Sequence, residues 1–154
     1  MGLDQFLTKK TYVKNWNHMS DDEKHTVSVE GKSSKQIKPE RITYIEEEIG
    51  YWRKANQIHN WFVNNVQNGN DNCGTYYVDA DNLEELSNLC KEVLADHSKA
   101  EELLPTTPGF FFGGTEYDEW YFKDLEKTVE VIDGILTEMK ENDAYYEFYY
   151  DSSW

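Results

Sequence analysis

The sequence predicts one α+β domain in which an antiparallel sheet of about four to six short strands packs against three amphipathic helices. Three observations predict this fold class. The 154 residues match the usual length of a single domain. Apolar residues recur at helical spacing in three stretches, and short alternating or aromatic runs typical of strands flank them. No internal repeat or low-complexity linker divides the chain.

The first 45 residues are predicted to form short strands joined by polar loops. A bend at Lys9 and Lys10 separates the first two strands. The Lys- and Ser-rich residues 31–39 start with Gly and end with Pro, which is typical of a surface loop or hairpin tip. Four segments have the alternation or the β-prone composition of strands: residues 2–7, 11–16, 25–30 and 41–45.

Residues 46–67 are predicted to form the central amphipathic helix. Apolar and aromatic residues recur there at three- and four-residue spacing, so they share one face that should be buried. A second stripe of polar side chains carries only one charge. The buried face comprises Tyr51, Trp52, Ala55, Ile58, His59, Phe62, Val63 and Val66. The polar stripe comprises Arg53, Gln57, Asn60, Asn64 and Gln67.

The remaining residues are predicted to alternate between strands and helices. Asp79 is a suitable N-cap for the second helix. Residues 109–114, which contain three Phe between glycines, are predicted to form a short buried strand. Thr115 and Asp118 resemble a capping box for a third helix that ends near Lys140. Two further strands are predicted over residues 74–78 and 144–150, and a Pro-containing connector over residues 97–108.

Charge is unevenly distributed along the chain. The formal net charge is −15, but residues 1–65 carry ten Lys or Arg against nine Asp or Glu, whereas residues 66–154 carry five against twenty-one. This acidity disfavours direct nucleic-acid binding, because phosphates require clustered cations. It favours as partner a basic protein, or a protein surface that normally binds nucleic acid, although solubility alone would also account for it. A basic patch is predicted from Lys9, Lys10, Lys14, Lys32, Lys35, Lys38 and Arg41.

The sequence lacks the motifs of common catalytic and metal-binding sites. Cys73 and Cys90 stand without a CxxC or a His pair, so neither a disulfide nor a zinc site is expected. The Asn-rich residues 68–79 fail the calcium-loop pattern, and residues 109–114 lack the Lys-Ser/Thr of a phosphate loop. No catalytic triad can be assembled, so an enzyme is disfavoured and no cofactor or metal is expected. No apolar run is long enough for a membrane span or a signal peptide, so a cytoplasmic location without a membrane partner is expected.

The polar stripe of the central helix has two interpretations. It can be the ordinary solvent side of a core helix. Because it carries little charge and is bordered by Lys54 and the Trp61 ring, it can also form a groove for an anionic, planar ligand. Aromatic clusters too numerous for the core indicate a stacking or protein-contact surface in addition, which leaves a homo-oligomer open. The residues assigned to the groove are Arg53, Lys54, Gln57, Asn60 and Trp61.

Four phrases distributed over nearly the whole chain resemble a widespread family of small bacteriophage and prophage proteins. They are MGLDQFL, EEIGYWRKANQIHNWFV, LLPTTPGFFFGGTEYDEWYF and FYYDSSW. Residues 17–40 and 97–104 lie outside these phrases, so the basic loop is expected to be particular to this chain. The resemblance implies a biological context rather than a mechanism.

That context is a phage-encoded protein that acts in the host cytoplasm against antiviral defence. Two mechanisms fit the sequence. The protein would sequester a nucleotide-type immune signal in the groove, or it would act as an acidic inhibitor that imitates nucleic acid and binds a host defence protein. A binding protein is preferred to an enzyme because binding needs no catalytic residues, and of the two binding mechanisms sequestration is ranked ahead of acidic inhibition. A phage structural or assembly protein is the third possibility.

Overall fold

The computed structural model describes all 154 residues and has the predicted α+β fold. The main sheet contains four antiparallel strands in the order β4-β1-β6-β5, and a two-stranded hairpin lies apart from it in the polar region before β4. The strands are β1 (Asp4–Tyr12), β2 (Ser28–Val29), β3 (Lys32–Ser33), β4 (Tyr44–Arg53), β5 (Tyr76–Val78) and β6 (Tyr146–Ser153).

Three longer helices and a helix of one turn cover one face of the main sheet. They are α1 (Asn56–Asn65), α2 (Ala80–Ala95), α3 (Ala100–Leu103) and α4 (Glu119–Glu141). The caps of α2 and α4 are Asp79 and Asp118, whose carboxylates accept hydrogen bonds from first-turn amides as an N-cap does. No helix is both long and apolar enough to span a bilayer.

Strand β1 is continuous over nine residues, so the bend predicted at Lys9 and Lys10 does not occur. The strand pairs with β4 on one side and with β6 on the other. Its alternate residues Gln5 and Leu7 are fully buried under the helices, whereas the residues between them remain partly exposed. The sheet is therefore covered on one face and open on the other.

Residues 46–53 belong to strand β4 and not to a helix, which corrects the prediction for this segment. Pairing with β1 places Gly50 and Trp52 on the covered face and Tyr51 on the open one. Gly50 suits this packing, because a Cβ there would come within 2.8 Å of the Trp52 ring. Only the second half of the predicted helix is helical, from Asn56 onward.

Two other segments differ from their predictions. Residues 109–114 form a turn rather than a buried strand, in which Phe110 is 95% exposed and only Phe112 is buried. Residues 25–30 contribute just the two residues of β2 to a strand. The Phe112 amide donates to the Gly109 carbonyl at 3.1 Å, which closes a turn in the first segment. Positive φ angles at Glu30 and Gly31 end β2 after two residues in the second.

The start of α4 and the connector before it also depart from expectation. Asp118 alone caps α4, and Thr115 takes no part in the cap. The connector over residues 97–108 contains a 3-10 turn at His97–Lys99 and the single-turn helix α3. The two prolines predicted to block helix in this connector lie after α3, where the chain leaves the helical region.

The core lies between the covered face of the sheet and helices α1, α2 and α4. The Trp52 indole crosses it and donates a 2.9 Å hydrogen bond to the Thr128 hydroxyl on α4. Lys9 is buried at its border, where Glu47 and Glu138 hold the ammonium at 3.0 and 2.9 Å and compensate the buried charge. Fully buried aliphatic residues fill the remainder: Leu7, Ile58, Leu83, Leu86, Leu125 and Ile132.

His59 joins α1 to the central strand β6 within this core. Its Nδ1 lies 2.7 Å from the Tyr150 hydroxyl, and the Tyr150 ring stacks on Phe62 at 3.9 Å. Its Nε2 lies 3.0 Å from the Asp71 carboxylate without the geometry of a hydrogen bond. Burial raises the pKa of Tyr150 well above its usual value and keeps its hydroxyl neutral.

Candidate ligand-binding cleft

A cleft of about 350 Å³ lies where the end of β4, the start of α1 and the start of α4 meet. This volume suits a small organic ligand and not a macromolecule. Polar and charged side chains dominate its lining. The lining residues are Arg53, Lys54, Asn56, Gln57, Thr106, Gly113, Gly114, Glu116, Asp118, Trp120, Tyr121 and Asp124.

Two neighbouring cations from the end of β4 line the cleft. Lys54 has a left-handed backbone with φ of 59°, which its amide supports by donating a 2.7 Å hydrogen bond to the Leu3 carbonyl. Its aliphatic stem lies against Gly2 and Gly113, and its ammonium has no carboxylate within ion-pair distance. Arg53 is 3.8 Å from Asp4 and more than half exposed, so that ion pair is weak. Both Arg53 and Lys54 are therefore available to bind an anionic group of a ligand.

The N-terminus of α1 adds to the positive potential beside these cations. Its N-cap is Ala55, which has no side chain that can accept a bond from the first-turn amides. The first turn contains no acidic residue either. The amides of Asn56 and Ile58 already donate to the carbonyls of Lys54 and Ala55 at 2.9 and 3.1 Å, so this helix end contributes its dipole and not free donors. The positive end of the dipole favours a negatively charged group in this part of the cleft.

Asn56 fixes the loop that closes the cleft. Its side-chain amide donates to the carbonyls of Phe112 and Gly114 at 3.0 and 2.8 Å, and its oxygen accepts from the Thr107 amide at 3.0 Å. The residue is buried, so these bonds are protected from water. One side chain thus holds both ends of the turn around residues 107–114 against α1.

The α4 side of the cleft is acidic. Burial raises the pKa of Asp124 to about 6, although a hydrogen bond from Gln57 and the charge of Lys127 oppose the shift. Gln57 is buried and spans the gap to α4, donating to the Tyr121 carbonyl at 3.3 Å and reaching the Asp124 carboxylate at 3.5 Å. The neighbouring Gln57 amide and Asp124 carboxyl are groups that can donate hydrogen bonds to a planar heterocycle and accept hydrogen bonds from it.

Trp120 supplies the exposed aromatic surface of the cleft. Its side chain is 66% exposed at the start of α4, and the Lys123 ammonium lies 4.5 Å from its ring centroid. Asp118 accepts hydrogen bonds from the Trp120 and Tyr121 amides at 3.0 and 3.1 Å, so the cap fixes this turn. A flat ligand can stack on the exposed Trp120 ring, whose backbone is fixed by the cap.

The five residues predicted to form one groove lie in two neighbouring depressions. Arg53, Lys54 and Gln57 line the large cleft. Gln57 also borders a second depression of about 90 Å³, together with Asn60 and Trp61. Trp61 is only 5% exposed and packs edge-on against Phe62. The cleft therefore offers Trp120, and not Trp61, as its accessible ring.

Sequence reasoning missed three residues that shape the cleft, namely Asn56, Trp120 and Asp124. The helical period places Asn56 at the start of α1, but no local pattern shows that it reaches a loop more than fifty residues away. Trp120 could have been noticed from its position two residues after the Asp118 cap. Asp124 could not have been identified from the sequence, because its environment depends on how α1 packs against α4.

Comparisons of the chain with protein-family models, with characterised proteins and with solved structures yield no match.

Replacing Asp124 by Asn is expected to stabilise the protein at pH 7.5 by about 1–2 kcal/mol, because a partly buried carboxylate no longer has to ionise. The folded pKa of about 6 exceeds the usual value of 3.8, so the wild-type contribution is favourable at low pH and is lost as pH rises from about 4 to 6. Urea unfolding at pH 7.5 and at pH 4 measures the difference.

The gain from Asp124→Asn should vanish at pH 4, where the wild-type carboxyl is already largely protonated in the folded state. Glu126→Gln, an exposed change on the same helix, is the control and should be neutral at both pH values. An equal gain for Asp124→Asn at both pH values would contradict the assignment.

Proposed function

We propose that the protein is a non-catalytic binding protein whose cleft takes an anionic, planar small molecule of nucleotide type. One observation carries this proposal. The unpaired Lys54 ammonium, the exposed Arg53 guanidinium and the positive end of the α1 dipole border the same cleft, which also contains an exposed indole. A phosphate can bind the two cations and is favoured by the dipole, and a base can stack on the indole.

The acidic wall of the cleft narrows the ligand class. Glu116 and Asp124 repel a ligand that carries negative charge along its whole length. They accept hydrogen bonds from exocyclic amino groups, so they favour a base whose edge carries donors. The ligand class that fits is a nucleotide with few phosphates, including cyclic and ADP-ribose-derived compounds.

Sequestration is the mode of action that this lining supports. The cleft has no Cys or His side chain that could act as a nucleophile, and the Thr106 hydroxyl already donates to the Thr115 carbonyl at 3.0 Å. Asp124, whose pKa is raised to about 6, is the one lining carboxyl suited to acid–base chemistry, and the Gln57 amide already lies 3.5 Å from it. A protein that only removes a signal from solution needs affinity without turnover. Together with the resemblance to phage proteins, this supports a phage-encoded protein that acts in the host cytoplasm against a nucleotide immune signal.

Thermal unfolding in the presence of linear, cyclic and ADP-ribose-derived nucleotides tests the proposal. A ligand at about 100 times its dissociation constant should add roughly 2.7 kcal/mol, or a few degrees in Tm. Lys54→Gln removes the charge but keeps most of the stem, and it should weaken binding about tenfold by the loss of one charge-assisted contact.

Lys35→Gln removes an exposed cation from the polar loop before β4 and is the matched control, with unchanged affinity expected. Recovery of the bound compound intact after incubation would support sequestration, whereas a modified product would indicate an enzyme. Equal affinity of Lys54→Gln and the wild type for the ligand would mean that the ligand does not bind in this cleft.

A further inference from the structure

The open face of the main sheet is lined with aromatic rings. Residues opposite each other in an antiparallel pair point to the same face, so the register identifies the members of this face. No helix covers it. We call it the tyrosine face, and its rings are Phe6, Tyr12, Tyr44, Tyr51, Tyr77, Tyr145 and Tyr149.

Carboxylates outnumber cations among the polar residues of the tyrosine face. Two cations of the strands, Lys10 and Arg53, share the face with five carboxylates. A third cation, Lys127 of α4, lies with its ammonium 5.6 Å from the Tyr51 ring centroid. The net charge of the molecule, −15, has the same sign as the excess charge of the face. The five carboxylates belong to Asp4, Glu46, Glu48, Glu147 and Asp151.

The carboxylates and the rings are joined by hydrogen bonds. Glu147 accepts from the Tyr149 hydroxyl at 3.0 Å and from the Tyr145 hydroxyl at 3.2 Å. Tyr77 packs edge-on against Tyr149, with ring centroids 5.9 Å apart. Tyr77 and Tyr145 are nevertheless 58% and 62% exposed, so ring surface beside Glu147 remains open to a partner.

Lys10 shows which group this arrangement binds. Its ammonium lies 4.7 Å from the Tyr44 ring centroid, 5.6 Å from that of Tyr149 and 3.7 Å from the Glu46 carboxylate. A cation is thus held between two rings and a carboxylate on the face itself. Lys10 also lies directly opposite Glu147 in the β1–β6 register. The Glu147 carboxylate lies among rings in the same way, but no cation is within ion-pair distance of it.

We propose that the tyrosine face docks an arginine-containing basic segment of another protein, with guanidinium groups placed between Glu147 and the rings of Tyr77 and Tyr145. Arginine fits better than lysine, because its planar group stacks on a ring while its donors bind a carboxylate. Nucleic acid is excluded as the occupant by the sign of the charge. A second copy of the chain would bring two acidic faces together, which is unfavourable.

Fluorescence anisotropy of a labelled peptide of alternating arginine and glycine, at physiological ionic strength, tests this proposal. The same peptide with lysine should bind several-fold more weakly. The double variant Tyr77→Ala/Tyr145→Ala should lose about tenfold in affinity through two cation–π contacts. Glu147→Gln should also weaken binding, and both variants should keep the wild-type melting temperature because the changed residues are on the open face.

Two matched controls separate this face from general attraction to an acidic protein. Phe110→Ala removes an aromatic ring that is 95% exposed elsewhere, and Glu101→Gln removes an exposed carboxylate on α3. Both should bind the arginine peptide as the wild type does. Equal losses in the controls and the face variants, or no preference for arginine, would overturn the proposal. Sedimentation that shows a dimer dissociated by Tyr77→Ala would assign the face to self-association instead and overturn it equally.

Discussion

Asn56→Ala is expected to destabilise the protein by about 3 kcal/mol and to abolish ligand binding in the cleft. The substitution removes three hydrogen bonds and leaves the Phe112 carbonyl and the Thr107 amide without their buried partner. Each buried group left unpaired costs about 1–3 kcal/mol, and relaxation of the loop recovers part of the sum. Urea unfolding measures the loss, and hydrogen exchange at the Thr107 amide reports on the loop.

Asn64→Ala is the control for this prediction. Asn64 lies on the same helix, is exposed and makes one hydrogen bond, to the Asn60 side chain. Its replacement should change the free energy of unfolding by less than about 0.5 kcal/mol. Comparable losses in the two variants would contradict the assignment of the loss at Asn56 to the loop, since helix propensity by itself favours Ala over Asn at both positions.

Tyr150→Phe is expected to cost about 1–3 kcal/mol in the free energy of unfolding. The hydroxyl that it removes lies 2.7 Å from His59 Nδ1, and both residues are fully buried, so no water replaces the lost partner. The ring remains stacked on Phe62, which separates the hydrogen bond from the packing. Chemical denaturation near neutral pH provides the measurement.

The neighbouring residue on the same strand offers a matched comparison. Tyr149→Phe also removes a hydrogen-bonded hydroxyl, but from the open face, where water can replace the bond to Glu147. Its cost should be less than about 0.5 kcal/mol. If the two variants unfold at the same denaturant concentration, the contact between His59 and Tyr150 adds nothing to stability.

Local sequence patterns were sufficient for the helices that are capped and periodic. Asp79 caps α2 as predicted, and apolar spacing carries α2 and α4 almost to their observed ends. The start of α4 was predicted too early, because the N-cap is Asp118 and not Thr115. The segment before α1 was ambiguous, because Tyr51 and Trp52 fit a helical face as well as two successive strand positions. Only pairing with β1, a contact distant in the sequence, decides between these alternatives.

The candidate site was less predictable than the fold. Arg53 and Lys54 were chosen as the polar border of a helix, yet they line the cleft as the last residue of a strand and the residue after it. Trp61 was chosen as a ring that can be half exposed, but it is only 5% exposed because it packs against Phe62 in the core and lies beside the connector at residues 103–105. Such properties depend on tertiary contacts, which spacing along one element does not encode.

The adjacency of β1 and β6 at the centre of the sheet has a consequence for biosynthesis. Asp4 pairs with Ser153, so two segments almost the whole sequence apart must meet before the central pair can form. Residues 146–153 therefore have to leave the ribosome before β1 and β6 can pair. Until then, β1 can pair only with β4. The packed pair of α2 and α4, whose contacts are closer in sequence, can assemble earlier and give the late strand a surface on which to dock.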